Sequence, residues 1–185
     1  LEAAICMVKS FVTLMDTLGV IRQRIIIEAD SWYSAHDFRS ALQALGLDYR
    51  IDGKSSFTVR QIDHEAISLA KTQTRGGKRS IFVKYVKTKQ FLGKVCGWRY
   101  FSDPVKNRRV YYNKALVDLK TGGKALAYAY KREEFETTKF ILVNPRTQFV
   151  TDPRTIYRDY LYRWSIEVCH REIKQQFNIE KCQSR

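Results

Sequence analysis

Residues 22–51 read RQRIIIEADSWYSAHDFRSALQALGLDYRI, and this stretch decides the fold. Ile25, Ile26 and Ile27 form a β-branched run too short for a helix of its own. The run reads as a strand over 24–29, buried on both faces and ending at Asp30. AHDFRSALQAL (35–45) has helical periodicity, with Ser34 placed to cap its start and Gly46 to stop it. LDYRI (47–51) is a second short strand. Strand, helix and strand in that order predict a parallel pair joined by a helical crossover.

Upstream, Ala4, Ile5, Val8, Phe11, Val12, Met15 and Leu18 recur at helical spacing, which predicts an amphipathic helix over 3–18 ended by Gly19. Downstream, residues 52–150 change character, becoming rich in Lys, Tyr, Phe and Val and broken by turn-forming residues. RSIFVKYVKT (79–88), KVCGWRYF (94–101), RRVYYNKALVDL (108–119) and KFILVN (139–144) read as strands, and KTQTRGGKR (71–79) as a basic loop. A helix is expected from about 153 to 177, capped by Thr151 or Asp152, with Pro153 in its first turn.

An apolar share of 44% with 13% aromatics suits a globular chain and argues against disorder. The net charge is +14, and it is not evenly spread. Residues 50–150 hold 22 Lys and Arg against 8 Asp and Glu, a balance of +14, while the rest of the chain holds 11 against 11. Charge gathered in one segment points to a surface for a polyanion, most often nucleic acid. A ribosomal or merely basic protein would share the composition. Cys6, Cys96, Cys169 and Cys182 lie far apart without a Cys-x-x-Cys, so neither a zinc site nor a disulfide framework is expected. No apolar run is long enough for a membrane span, and no basic region precedes the apolar residues 1–20 as a signal peptide would require.

On the last helix, Tyr160, Arg163, Glu167 and Lys174 stand at offsets 0, 3, 7 and 14. At about 100° per residue they fall within an arc of roughly 60°. A carboxylate flanked by an arginine and a lysine suits a metal ligand beside a phosphate backbone. A solvated charged face with pairs such as Arg163–Glu167 would look the same. Asp30, at a strand end, likewise reads either as a metal ligand or as a turn aspartate.

Tyr-x-x-Arg-x-x-x-Glu-x-x-x-x-x-x-Lys is the signature of a group of bacterial cut-and-paste insertion-sequence transposases with a DDE triad, and the chain resembles that group. RWSIE (163–167) and KQQFNIEKCQSR (174–185) look like it too, as does EADSWYS (28–34) around its second acid. The resemblance implies an α/β, RNase H-like catalytic core. Residues 1–51 would form its second part and 151–185 its C-terminal helix, with 52–150 a basic β-rich insertion between the second and third acids. It makes Asp30 and Glu167 the catalytic, metal-binding acids, with Tyr160, Arg163 and Lys174 on DNA. The family's first acid lies on an earlier strand. Glu2 precedes a helix and Asp16 sits on that helix's polar side, so the resemblance implies a core truncated at its N-terminus and inactive by itself.

What the resemblance implies for chemistry is metal-dependent strand cleavage and strand transfer. Two Mg²⁺ or Mn²⁺ ions would be held by carboxylates. The implied partners are double-stranded DNA, both terminal inverted repeats and target, and further copies of the protein, in the cytoplasm of a bacterium at its nucleoid. His36, His64 and His170 fit no triad motif. Trp98, among Lys94, Arg99, Tyr100 and Phe101, reads either as sheet packing or as a base-stacking DNA contact. Trp32 and Trp164 are expected in the core beneath the acids. Two other readings stay open: a non-enzymatic nucleic-acid-binding module and an inactive remnant of a transposable element.

Overall fold

The computed structural model describes residues 1–22, 25–62, 84–94, 97–103, 107–132, 137–144 and 152–176. The chain divides into two compact units, Leu1–Gln148 and Phe149–Arg185.

The first unit opens with α1 (Glu2–Thr17). Its end is a glycine-closed Schellman turn: Val20 N–H reaches Met15 O at 2.9 Å and Gly19, at φ +71°, donates to Asp16 O. Strand β1 (Ile26–Ala29) leads into a 3-10 turn (Ser31–Ser34), helix α2 (His36–Ala44) and strand β2 (Asp48–Gly53). β1 and β2 pair in parallel, Ile26 opposite Asp48 and Ala29 opposite Ile51, as the strand–helix–strand order requires. Phe38, Leu42, Leu47, Tyr49 and Ile51 are buried in one cluster with Val12 of α1.

One detail of this corner differs from expectation. Ser34 does not cap α2. It belongs to the 3-10 turn and its hydroxyl bonds back to Ser31 O, so Ala35 begins the helix without a side-chain cap. Among the described residues β1 lies at the edge of the sheet, paired with β2 alone, and its four residues are half-buried.

The remaining strands are β3 (Thr58–Gln61), β4 (Val86–Lys87), β5 (Arg99–Asp103), β6 (Arg108–Leu119), β7 (Lys124–Lys131) and β8 (Lys139–Val143). Among the described residues all eight strands join one sheet in the order β1-β2-β8-β7-β6-β3-β4, with β5 beside β6. Every pairing but β1–β2 is antiparallel. β2 pairs directly with β8, so the parallel corner and the antiparallel strands are continuous. Cross-strand partners Ile51, Leu142, Ala127 and Ala115 form one buried row across four strands.

A short helix, α3 (Thr88–Lys94), contributes Phe91 and Leu92 to a core with Val59, Val117, Leu119, Phe140 and the alanines 125, 127 and 129 of β7. β7 (KALAYAYK) was not anticipated because alanine carries little β propensity. β3 and α3 were not anticipated either. The strand expected at 79–88 is two residues long in its described part, and Thr88 turns into helix with its hydroxyl on Phe57 O at 3.0 Å. Lys94 ends that helix, so β5 starts at Arg99 rather than at 94. β6 and β8 match the expected segments. The loop at 71–79 lies outside the described residues.

The second unit is the helix α4 (Pro153–Gln176). Asp152 caps it, its Oδ2 accepting the Thr155 N–H at 3.1 Å and the Thr155 hydroxyl at 2.9 Å. Among the described residues no helix is long and apolar enough to cross a membrane.

Candidate functional site

Asp30 leaves β1 in an extended conformation and turns the chain into the 3-10 turn. Its Oδ1 accepts the Trp32 N–H at 2.8 Å and its main-chain oxygen the Tyr33 N–H at 3.2 Å. The carboxylate is thus fixed in direction by its own turn, as short Asp side chains at strand ends commonly are. It stays half-exposed at the C-terminal end of the parallel pair, where ligands of open α/β sheets gather. Two residues earlier, Glu28 meets the buried Arg50 of β2 at 3.2 Å. That pairing commits the Glu28 carboxylate to the Arg50 guanidinium.

The turn is held from behind. Arg39 of α2, 2% exposed, donates from Nε to Ser34 O at 3.0 Å and from Nη2 to Gly122 O at 2.7 Å. Gly122 and Gly123 close the β6–β7 hairpin against the His36 ring, and a Cβ on Gly122 would stand 3.0 Å from His36 Cγ. The hairpin therefore docks on the helix that follows Asp30. Tyr33 packs on Phe38 with ring centroids 5.3 Å apart. Trp32 is the exception. It was expected in the core, but 81% of its surface is exposed, with Lys54 Nζ 5.9 Å from its ring centroid. The reason is local: Asp30 and Ser34 fix the turn so that Tyr33, not Trp32, meets the apolar cluster.

On α4, Tyr160 and Arg163 come together, the guanidinium 5.6 Å from the tyrosine ring centroid. Glu167 and Lys174 lie further along the same helix, and their side chains fall outside the described atoms, as does that of Trp164. Asp30 belongs to the first unit and these four residues to the second. Among the described residues, no three His, Cys, Asp or Glu side chains cluster as a metal site would require. Cys6 and Cys169 are free and exposed, while Cys96 and Cys182 lie outside the described residues.

The basic strands carry a ladder of cations and rings. Arg109 lies 5.3 Å from the Tyr100 ring, Tyr100 pairs with Tyr111 across β5 and β6, and Lys131 opposite Tyr111 sits 4.6 Å from the Trp98 ring. Trp98 is partly buried against the core, and Tyr100 is 59% exposed. Each such contact contributes about 0.5–1 kcal/mol at an exposed site. Elsewhere Asp118 is engaged by Arg60 at 3.0 Å and by the Tyr85 hydroxyl, and that hydrogen bond raises the phenol's pKa. Tyr111, Arg109 and Lys131 were not singled out in the sequence, and Tyr100 was named only as a neighbour of Trp98. A period-two reading of β5 and β6 in register would have aligned them, but the register is not visible in one strand.

No curated protein matches the chain. Residues 8–185 match the family model of the transposase DDE domain, which spans the fixed carboxylate of Asp30, the basic strands and α4 alike, and the chain belongs to that family.

Proposed function

We propose that the protein cuts and rejoins DNA at transposon ends, with Asp30 and Glu167 as its second and third acids. The observation that carries this reading is Asp30: a carboxylate held in direction at the open end of a parallel pair, with Glu28 diverted to Arg50. The Tyr160-Arg163-Glu167-Lys174 spacing on one continuous helix supports it from the other unit. The donor chemistry suits a divalent ion, since carboxylate oxygens are the hard ligands that Mg²⁺ and Mn²⁺ prefer. Asp30 and Glu167 would hold such ions, which would supply charge neutralisation and an activated water for phosphodiester displacement.

The chain's own residues do the rest. Asp30 offers an oxygen already oriented by its turn, so little freedom is lost when it takes up a ligand. Arg163, backed by the Tyr160 ring, and Lys174 hold phosphates and set the strand's register. The cations of 52–150 supply sequence-independent attraction to the duplex. In this reading the core is RNase H-like, with 52–150 as its insertion and α4 as its closing helix. The substrates are terminal inverted repeats and target DNA, handled by an oligomer in a bacterial cytoplasm. The group with the Tyr-Arg-Glu-Lys signature is its home.

The test is cleavage of a labelled duplex in Mg²⁺ by the full-length protein, with binding measured beside it. Asp30→Asn and Glu167→Gln should each lower cleavage by about a thousandfold or more, several kcal/mol of charge stabilisation, and leave affinity nearly intact. Arg163→Ala should weaken binding instead. Normal cleavage by Glu167→Gln removes that residue from the site.

A further inference from the structure

Arg39 is the most deeply buried charged side chain among the described residues, at 2% exposed. A guanidinium taken out of water is costly unless a carboxylate or well-placed acceptors meet it. Arg50, the other buried arginine, has the Glu28 carboxylate at 3.2 Å. Among the described residues no carboxylate pairs with Arg39. Its donors go to two main-chain oxygens instead, Nε to Ser34 O at 3.0 Å and Nη2 to Gly122 O at 2.7 Å. An aliphatic side chain would fill this space without a charge to bury, so packing alone does not account for the residue.

The two oxygens belong to segments with different tasks. Ser34 closes the turn that Asp30 opens, and its hydroxyl bonds back to Ser31 O. Within that turn Asp30 accepts the Trp32 N–H on Oδ1 and the Tyr33 N–H on its main-chain oxygen. The direction of the carboxylate therefore depends on the turn, and Arg39 fixes the turn's far end. Gly122 stands 83 positions from Arg39, at the tip of the β6–β7 hairpin. Gly122 and Gly123 have φ of +108° and +79°, and the His36 ring lies against both. Behind the tip, β6 is paired with β7 on one edge and with β3 and β5 on the other, which makes the support stiff. A planar guanidinium can aim two donors at two fixed acceptors, and an ammonium cannot hold that geometry.

We infer that Arg39 is a positioning residue for Asp30, and that the β6–β7 hairpin tip is the support against which it holds the acid's turn. This rests on the reading of Asp30 as a metal-binding acid. A carboxylate that swings with a loose turn takes up a divalent ion more weakly than one already aimed.

The experiment uses the full-length protein and three measurements: backbone amide exchange at Trp32 and Tyr33 without metal or DNA, DNA affinity by anisotropy in Ca²⁺, and the Mg²⁺ concentration giving half-maximal cleavage. Arg39→Lys should speed exchange at both amides, raise the Mg²⁺ midpoint about tenfold and leave DNA affinity unchanged. Added methylguanidinium should bring the Arg39→Ala midpoint back toward the parent. Gly122→Ala should shift exchange and midpoint in the same direction, and the double variant with Arg39→Lys should be no worse than Arg39→Lys alone. Val117→Ala, a cavity in the antiparallel core, lowers stability without touching the turn and should leave both quantities at the parent's values. If Arg39→Lys matches the parent in exchange and midpoint, or Val117→Ala moves them as far, Arg39 is structural only and the role of Asp30 stands. Additive effects of Arg39→Lys and Gly122→Ala would overturn the part given to the hairpin tip. If Asp30→Asn cleaves like the parent, the reading of Asp30 fails and this inference falls with it.

Discussion

The parallel corner and the antiparallel strands are built differently although they share one sheet. In β1–β2 the strands are short, the outer one is half-buried, and position is set by directional bonds: Asp30 to its turn, Arg39 to two carbonyls, Asn144 Nδ2 to Leu47 O at 3.2 Å. Across β6–β8 every strand is paired on both sides, β6 and β7 are long, and position is set by ladder and apolar packing, with Val117, Ala125, Ala127 and Ala129 essentially inaccessible. The first arrangement leaves polar groups facing outward in fixed directions, which a ligand site needs. The second leaves cations and rings on a stiff surface, which suffices for holding a polyanion. In the proposed function, chemistry and affinity are separated within one sheet.

The largest effect expected from breaking this contrast is in the packed region. Phe91→Ala removes a wholly buried ring from beneath α3 and should cost about 3–5 kcal/mol, read by denaturant titration. A cost under about 1 kcal/mol would show that the antiparallel core is not held by packing at this point.

In the corner, Arg39→Leu keeps the bulk and removes the donors to Ser34 O and Gly122 O. Buried carbonyls left without partners cost about 1–3 kcal/mol each, and some relaxation follows, so about 2–4 kcal/mol is expected. Hydrogen exchange should show the loss first in α2 and the 120–123 turn, with β7 and β8 still protected. Uniform loss across the sheet would erase the distinction between the two regions.

The joint between them is tested by a glycine pair. Gly122→Ala places a Cβ 3.0 Å from His36 Cγ at φ +108°, and about 1–3 kcal/mol of destabilisation follows. Gly97→Ala has a similar φ, +102°, but meets nothing within 4 Å, so it should carry the backbone strain alone. Equal costs would mean that hairpin docking on α2 contributes little.

The smallest effect concerns α4. Burial pushes the Asp152 carboxyl upward, but hydrogen bonds from the Thr155 side chain and backbone and from the Arg154 backbone, with the Arg154 charge, together hold it below its ordinary 3.8. A lowered carboxylate pKa stabilises above the unfolded value and loses that contribution as pH falls through the folded one. Asp152→Ala should cost about 1 kcal/mol at neutral pH, and the gap to the parent should close below about pH 4. A gap that persists in acid would show that the cap works without its charge.

The sequence by itself determined the elements around Asp30, the strands β6 and β8, the helix α4 and the spacing of the polar groups upon them. Three isoleucines before Asp30, Gly19 and Gly46 at helix ends, and an unbroken α4 are written in nearest-neighbour preferences, which depend on little beyond a few residues. The spacing of Tyr160, Arg163, Glu167 and Lys174 was legible for the same reason, and Tyr160 and Arg163 do meet on α4. Only the tertiary structure decided the register that lines Tyr100, Tyr111 and Lys131 across three strands, since pairing joins residues far apart in the chain. It also decided that alanine-rich β7 lies between β6 and β8, because small side chains gain their value from what packs over them. Trp32 illustrates the division most directly. Apolar character argued for the core, but the hydrogen bonds of a four-residue turn chose which of two adjacent aromatics went inside, and composition carries no information about that direction.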